Sequence, residues 1–150
     1  MSSQQFCTFL LDGCLFGVPV PLVQEVIRFQ DTTPVPLAPP AVEGLINLRG
    51  QIVLAIDLRR RLGLPRREPG TLPINVVIRS TDGAVSLLVD EIGEVVEVSQ
   101  SSFEEPPETL RGAIRSMILG VHKLEGSLLH VLDTGSACQV PAAETAAIER

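Results

Sequence analysis

The feature that most constrains the fold is a set of four short apolar segments, each interrupted by a dipeptide that ends in glycine. The dipeptides are Asp12-Gly13, Arg49-Gly50, Asp82-Gly83 and Glu125-Gly126. Glycine accepts the positive φ that a two-residue hairpin turn requires, so each dipeptide predicts a β-hairpin. The flanking strands are expected at 5–11 and 14–18, 45–48 and 51–56, 73–80 and 84–89, and 114–124 and 127–132, with a further apolar strand at 92–98.

Helices are expected to be few and short. Pro21 suits the first turn of a helix whose apolar residues, at helical spacing, are Leu22, Val23, Val26 and Ile27. Asp57 can cap a second helix over 58–62, and 142–150 is expected to form a terminal helix. The four prolines between 33 and 41 exclude a regular helix or central strand, so this stretch is expected to cross the surface in extended form.

The second half of the chain repeats the first. The segment 16–29 aligns with 85–98, and 44–57 aligns with 120–133, in the same order as Asp12-Gly13 and Asp82-Gly83. Identical pairs are Val20/Val89, Glu25/Glu94, Val26/Val95, Gly44/Gly120, Leu48/Leu124, Gly50/Gly126 and Asp57/Asp133. Because the matches are collinear, duplication is the better explanation. Each half holds about five strands, enough for a small barrel, and two packed barrels would bury a third core between them.

Composition argues for protein partners and against nucleic acid. The formal charge is −6 and the aromatic residues are five Phe, without the basic surface or stacking platforms of nucleic-acid binders. The hydrophobic fraction of 45% favours exposed apolar patches of the kind that bind proteins, although a Val- and Leu-rich β core explains it equally well. The chain shows neither a signal segment nor the roughly 20-residue apolar run of a membrane span, so a cytoplasmic protein without membrane insertion is expected.

Two features suggest catalysis or metal binding, and both are better explained otherwise. Asp133-Thr134-Gly135 resembles the catalytic loop of aspartic proteases, which require two such aspartates. The equivalent residue in the first half, Asp57, is followed by Leu-Arg and does not provide a second loop of this kind. Only a protease formed by two copies of the chain therefore stays open as an alternative. His122 and His130 lie on strands joined by a tight hairpin, but further metal ligands at recognisable spacing are missing. No catalytic residue, metal or cofactor is therefore expected.

Three strings give the chain a family resemblance. They are VQEVIRF at 23–29, GLINLRGQIVLAIDLRRRLGL at 44–64 and VDEIGEVVEV at 89–98, and the similarity extends over 5–135. These strings resemble the CheW-like coupling proteins of bacterial chemosensory arrays. The resemblance implies an all-β fold in which two five-stranded SH3-like or OB-like barrels pack together with short helices. It also implies a single domain over 1–150, with one subdomain at 15–80, the other at 5–14 plus 81–135, and a tail at 136–150.

The resemblance further implies a non-catalytic scaffold for chemotaxis signalling. Its partners would be the regulatory domain of a CheA-type histidine kinase, the cytoplasmic tip of methyl-accepting chemoreceptors, and other CheW-like domains. A self-assembling structural β module is the remaining alternative.

The resemblance also places the partner-binding residues. Glu25 and Arg49 match the functional glutamate and arginine of the family, and Asn47 and Gly50 lie in the same matched string. The receptor groove between the barrels maps to Val23, Gly44, Ile92 and Val95, with Ser86 nearby, where a glycine is common in the family. For the three aliphatic residues, a plain core position is an equally good interpretation.

Overall fold

The apolar segments fold as strands. The computed structural model describes residues 2–80 and 83–139, and within these ranges the chain forms eleven strands and three short α-helices. The strands are β1 Ser3–Leu11, β2 Cys14–Pro19, β3 Val23–Ile27, β4 Val42–Leu48, β5 Gln51–Asp57, β6 Ile74–Ser80, β7 Gly83–Val89, β8 Glu91–Ser99, β9 Phe103–Glu104, β10 Ile118–Leu124 and β11 Ser127–Leu132. The helices are α1 Leu58–Arg61, α2 Gly112–Met117 and α3 Thr134–Ala137, and single 3-10 turns occupy Val20–Leu22 and Gln100–Ser102.

The strands form two sheets. The six-stranded sheet has the order β8-β1-β2-β11-β10-β9, and the five-stranded sheet has the order β3-β6-β7-β5-β4. In each sheet one pair is parallel, β2 with β11 and β5 with β7, and the other pairs are antiparallel. The prediction of an all-β fold with two small β subdomains and short helices is confirmed, although each sheet stays open along its edges and one has a sixth, two-residue strand.

The two halves of the duplication are intertwined. The β1–β2 hairpin pairs with β8 and β11, which come from the second half, and the equivalent β6–β7 hairpin pairs with β3 and β5, which come from the first. Each sheet is therefore built from one hairpin of one half and the remaining strands of the other. The chain changes sheets at two equivalent places, the 3-10 turn Val20–Leu22 and the single residue Asp90.

The buried apolar residues form three clusters, and the largest lies between the two sheets and holds them together. It combines buried residues of the six-stranded sheet, such as Phe9 and Phe16, with buried residues of the five-stranded sheet, such as Ile56 and Leu87. Two smaller clusters lie within the individual sheets, one around Phe6 and the other around Ile46. This matches the expectation that two packed units bury a third core.

The predicted hairpins are present wherever the structure describes them. Asp12-Gly13 connects β1 to β2, Arg49-Gly50 connects β4 to β5, and Glu125-Gly126 connects β10 to β11. Arg49 has a φ of 52° and Gly50 a φ of 86°, the two positive values that a type I′ hairpin turn needs. Asp82 of the fourth dipeptide and the predicted terminal helix at 142–150 lie outside the described residues.

Two sequence predictions of local structure are wrong. The apolar residues after Pro21 form one 3-10 turn and then β3, because β-branched residues at an available sheet edge gain more from pairing with β6 than from a short helix. The predicted strand over 114–124 begins only at Ile118, since residues 112–117 form α2. In α2, Ile114 and Met117 are three residues apart and both pack against the core between the sheets.

The predicted subdomain ranges and the two sheets differ at two strands. All of β2 except Cys14 lies within the range 15–80, yet β2 pairs in the six-stranded sheet, and β7 lies within 81–135, yet it pairs in the five-stranded sheet. Both differences follow from the exchange of hairpins between the halves. The division into subdomains therefore stays a prediction. No helix in the described part of the chain is long and apolar enough to cross a membrane.

Candidate functional site

The β4–β5 turn is built by the matched string around Arg49. The side-chain oxygen of Asn47 accepts a hydrogen bond from the backbone amide of Gly50 over 2.9 Å, which closes the turn. Gly50 supplies a positive φ at no steric cost, and Arg49 adopts one as well. Two of the predicted site residues, Asn47 and Gly50, thus act together to present a third, Arg49, at the tip of the hairpin.

Arg49 forms an ion pair across the open side of the five-stranded sheet. Its Nη2 lies 3.4 Å from Oε1 of Glu25 on β3, and β3 and β4 are the two edge strands of that sheet. The contact therefore links the edge strand β3 to the turn that follows the other edge strand, β4. The Glu25 side chain is 19% exposed and the Arg49 side chain is 85% exposed, so the pair contributes only about 0–1 kcal/mol.

Gly44 lets the proline-rich connection lie against β4. Thr33 exchanges backbone hydrogen bonds of 2.8 and 2.9 Å with Leu45. A Cβ atom on Gly44 would lie 2.5 Å from the carbonyl oxygen of Thr33. Gly44 is buried under this connection. The structure gives it a packing role at the sheet edge.

Ser86 is fully buried on β7. Its hydroxyl donates a 2.7 Å hydrogen bond to the side-chain oxygen of Asn75, and the Asn75 amide donates to the backbone oxygen of Arg28. This chain of hydrogen bonds ties β7 to β6 and to the end of β3. Ser86 is thus enclosed within the fold, and its influence on a surface contact would pass through Asn75.

An apolar groove lies between the two sheets, where the edge strands β3 and β8 face each other. We call it the inter-sheet groove, and its lining residues are Cys7, Thr8, Phe9, Val26, Val76, Ile92, Gly93 and Val95. Ile92 is 40% exposed, Val95 58% and Val26 41%, values that a core position does not have. For Ile92 and Val95 the structure therefore favours a surface role over the core interpretation.

The remaining predicted groove residues lie elsewhere. Val23 is half-buried and packs against the core between the sheets, and Gly44 lies under Thr33. Val26, on the same strand β3, lines the groove in place of Val23. A bulge in β3 between Val23 and Glu25 places Val23 opposite Ile78 and Val26 opposite Val76, so both valines point to the same face of the sheet; they differ in that Val23 is half-buried and Val26 is exposed. Val26 is also the equivalent of Val95 in the duplication, and both line the same groove.

A cluster of buried charges joins the two sheets on another face of the molecule. Arg59 in α1 holds Asp90 with two hydrogen bonds, Nε to Oδ1 over 2.8 Å and Nη2 to Oδ2 over 2.6 Å. Arg67 adds a 3.2 Å bond from Nε, and the backbone amide of Asp12 adds one of 2.9 Å. Burial raises the pKa of Asp90, but these hydrogen bonds and the two arginine charges outweigh burial and hold the pKa below its ordinary value.

The residues that suggested catalysis or metal binding are occupied in structural contacts. Asp133 caps α3, accepting hydrogen bonds from the backbone amide and the hydroxyl of Ser136, as Asp57 caps α1. His122 is buried against the rings of Phe6 and Phe103, and burial lowers its pKa. In residues 2–80 and 83–139, no group of three or more His, Cys, Asp or Glu is placed to hold a metal ion.

Comparison with known proteins gives a consistent result. The sequence model of the family described as CheW-like domain matches residues 5–140. The chain is 35% identical over 133 residues to the chemotaxis protein CheW of Treponema pallidum, covering 86% of this chain and 78% of that protein. It is 30% identical over 145 residues to the chemotaxis protein CheW of Bacillus subtilis, covering 97% and 93%.

A solved structure agrees with these sequence matches. The crystal structure of the scaffolding protein TtCheW from Thermoanaerobacter tengcongensis superimposes with a TM-score of 0.79 at 27% identity, covering 87% of this chain and 89% of that one. The similarity therefore extends over nearly the whole described fold.

Proposed function

The chain belongs to the CheW-like domain family, and from this membership we propose that it bridges a chemoreceptor tip and a CheA-type histidine kinase. It is a scaffold protein of chemotaxis signalling. In the proposed role it works at the cytoplasmic tips of the receptors, binds the regulatory domain of the kinase, and contributes to the array lattice. It acts by binding alone and catalyses no reaction.

The inter-sheet groove is the observation that carries the proposal. Three aliphatic side chains, Val26, Ile92 and Val95, stay exposed together although the interior has ample apolar residues. Exposed apolar patches of this kind mark binding sites for proteins. A receptor tip is helical, and an amphipathic helix places apolar residues at i, i+3, i+4 and i+7, which suits a groove with aliphatic walls.

The β4–β5 turn supports a second contact surface. The Arg49 guanidinium is open to solvent except for its weak pair with Glu25, and Asn47 and Gly50 fix the turn that presents it. A rigid turn with an exposed arginine is suited to recognising a carboxylate on a partner, since the guanidinium offers several fixed donors. We assign this surface to the assembly of the array.

The capping role of Asp133 argues against the protease alternative. Both of its side-chain oxygens accept hydrogen bonds from Ser136 within α3. An aspartic protease needs this carboxylate to share a proton with a second aspartate. Asp133 in this geometry stabilises a helix terminus, and a hydrolytic role would require it to leave that position.

Titration calorimetry tests the receptor contact directly. The receptor-tip fragment and the kinase regulatory domain of the same organism are titrated separately into the protein and into its Val95→Asn variant. We expect Val95→Asn to weaken receptor binding about tenfold, because an amide without a hydrogen-bond partner would be desolvated in the groove. Binding of the kinase domain should be unchanged.

Leu119→Asn serves as the matched control. Leu119 is 56% exposed, almost as much as Val95, but it lies on β10, four strands away from β8 in the same sheet. Equal effects of the two variants on receptor binding would contradict the assignment of the groove. A folded protein that binds neither partner would contradict the coupling role, and concentration-dependent oligomers in the same samples would then favour the self-assembling β module.

A further inference from the structure

The wall that β8 contributes to the inter-sheet groove depends on a β-bulge. Cys7 pairs with Val95 and Phe9 pairs with Ile92, so β8 uses three residues where β1 uses two. One extra residue in one of two paired strands is a β-bulge. Cys7 and Phe9 point to the same face of the sheet, and their partners Val95 and Ile92 therefore do so too. The bulge is thus the reason that both aliphatic residues line the groove.

Without the bulge, a charged residue would enter the groove. If the register that begins at Phe9 and Ile92 continued regularly, Cys7 would pair with Glu94, and Val95 would turn to the opposite face of the sheet. A carboxylate between aliphatic walls would lose its water when a partner docks, which is unfavourable. The bulge therefore decides which of two neighbouring side chains, Val95 or Glu94, faces a partner in the groove.

Thr8 and Gly93 hold the bulge in place. Thr8 lies opposite the two bulge residues, Gly93 and Glu94, and its side chain is buried. Its hydroxyl donates a 2.5 Å hydrogen bond to the backbone oxygen of Glu94. Gly93 leaves room for this hydroxyl, because a Cβ atom on Gly93 would overlap Oγ1 of Thr8. One residue of the bulge is thus fixed by a hydrogen bond, and the other has no side chain in its way.

The opposite wall of the groove has an equivalent bulge that is built differently. In β3, Gln24 and Glu25 face the single residue Val77 of β6. In the alignment of the two halves, Gln24 is the counterpart of Gly93, and Val77 has the place that Thr8 has opposite the β8 bulge. Valine has the shape of threonine but lacks the hydroxyl. The fold therefore accommodates a valine opposite such a bulge, and the hydroxyl is particular to the β8 wall.

Resting on the proposed function, we propose that Thr8 and Gly93 are positioning residues for the receptor helix. The Thr8 side chain points away from the groove, since its neighbours in β1 point towards it. Thr8 and Gly93 act by keeping Ile92 and Val95 at fixed places on one wall before the helix arrives. Binding then does not have to order these two side chains, and a binding site that is ordered in advance gains affinity.

Titration calorimetry with the full-length protein and a receptor-tip fragment of the same organism tests the role of the hydroxyl. We expect Thr8→Val to weaken receptor binding about three- to tenfold, because the shape of the side chain is kept and one hydrogen bond is lost. Thr8→Ser keeps the hydroxyl and should recover most of the lost affinity. The kinase regulatory domain should bind the wild type and both variants equally, which a general loss of structure would not allow.

Thr71→Val is the matched control for Thr8→Val. The hydroxyl of Thr71 donates a 2.7 Å hydrogen bond to the backbone oxygen of Glu68 in the connection between α1 and β6. The control therefore removes the same kind of bond by the same substitution, at a residue that does not line the groove. Receptor affinity should stay unchanged in Thr71→Val. Thermal unfolding checks that every variant is folded.

Gly93→Ala tests the geometry of the bulge independently. The new methyl group would overlap Oγ1 of Thr8, so the bulge must shift, and we expect receptor binding to weaken about tenfold or more. Thr8→Ala removes Oγ1 and leaves Cβ of residue 8 at 3.5 Å, an ordinary contact. The double variant Thr8→Ala/Gly93→Ala should therefore bind the receptor tip about threefold more tightly than Gly93→Ala alone, although each single substitution weakens binding.

The proposal fails if folded Thr8→Val binds the receptor tip as tightly as the wild type, or if it loses affinity for the receptor tip and the kinase domain alike. It also fails if Thr8→Val does not fold, since the hydroxyl would then serve the fold and not the groove. A Gly93→Ala variant that gains nothing from Thr8→Ala contradicts the assigned geometry. These failures differ from failure of the proposed function, in which the receptor tip does not bind the folded wild type at all.

Discussion

At the scale of single residues, the described charges divide into those that the fold pairs internally and those that it leaves exposed without a cation. Asp90 accepts hydrogen bonds from Arg59, Arg67 and the Asp12 amide at the place where the chain changes sheets. Its side chain is only 17% exposed. Glu94 and Glu97 lie a few residues further on, exposed and without a cation in the described structure. Nearby acids of similar chemistry therefore differ in whether the fold supplies a cation for them.

Neutralising Asp90 should destabilise the protein. Asp90→Asn keeps the shape of the side chain but leaves Arg59 and Arg67 close together without their shared carboxylate. We expect a loss of about 2–3 kcal/mol in the free energy of unfolding, below the ~3–5 kcal/mol of a fully buried pair because the site retains some solvent contact. Urea denaturation at pH 7 measures the change. Glu91→Gln, at the exposed neighbouring position, removes the same charge and should change stability by less than about 0.5 kcal/mol.

The pH dependence gives this prediction a definite sign. The pKa of Asp90 is lowered in the folded state, so its stabilising contribution is complete above the unfolded pKa of about 3.9 and is lost as the pH falls through the folded pKa. The stability difference between the wild type and Asp90→Asn should therefore shrink below about pH 4. A difference that stays constant down to pH 3 would contradict the ionic origin.

At the scale of elements, two equivalent glycines let the connecting segments close onto the edge strands. Gly44 on β4 lies under Thr33, and Gly120 on β10 lies under the ring of Phe103 and the carbonyl oxygen of Glu104. A Cβ atom on Gly120 would overlap that ring and would lie 2.5 Å from that oxygen. Close packing therefore explains why both halves of the duplication have glycine at this position. In both halves, the segment that precedes the last hairpin covers the outer edge of its sheet.

Gly44→Ala should loosen this covering segment. The new methyl group would push against the backbone of Thr33, which cannot yield as a flexible side chain would, so we expect a loss of about 1–3 kcal/mol. Hydrogen exchange should show faster exchange of the Thr33 and Leu45 amides, whose backbone bonds are 2.8 and 2.9 Å long.

Gly135→Ala is the control for this substitution. The nearest atom to a Cβ on Gly135 is a carboxylate oxygen of Asp133 at 3.4 Å, which is tolerable, and the residue lies in α3. We expect stability to change by less than about 1 kcal/mol. Unchanged exchange at Thr33 and Leu45 in Gly44→Ala would show that the glycine is not needed for the close approach.

At the scale of the whole molecule, the exchange of hairpins makes the two halves interdependent. The β1–β2 hairpin completes the sheet of the second half, and the β6–β7 hairpin completes the sheet of the first. Neither half retains its complete sheet without the other. The core between the sheets adds apolar burial from both, so the halves are joined by pairing and by packing.

Cutting the chain between the halves should therefore leave them associated. A protease site inserted between Pro69 and Gly70, in the exposed connection from α1 to β6, allows the folded full-length protein to be cleaved. We expect the two fragments to co-elute in size-exclusion chromatography under native conditions and to separate only in denaturant. Fragments that separate under native conditions would contradict the intertwined arrangement.

Local chemistry in the sequence determined the hairpins, the helix caps and the duplication, because each depends on residues close together in the chain. Glycine at a turn needs no distant partner, and Asp57 and Asp133 cap helices that begin immediately after them. The matched strings also carried the family, and with it the all-β fold and the assignment of Ile92 and Val95 to a groove.

Only the tertiary structure decided which strands pair, and therefore which side chains are exposed. Val26 is exposed and Ser86 is enclosed because β3 pairs with β6 and because β7 is central in its sheet. The apolar pattern of residues 22–27 suits either a short helix or an edge strand, and only the distant partner strand settles the choice. Strand pairing is non-local, and a change of one residue in register or element type reverses the face to which a side chain points. The family resemblance assigns Val23 to the groove, but the pairing of β3 with β6 packs Val23 against the core and leaves Val26 exposed beside Ile92 and Val95.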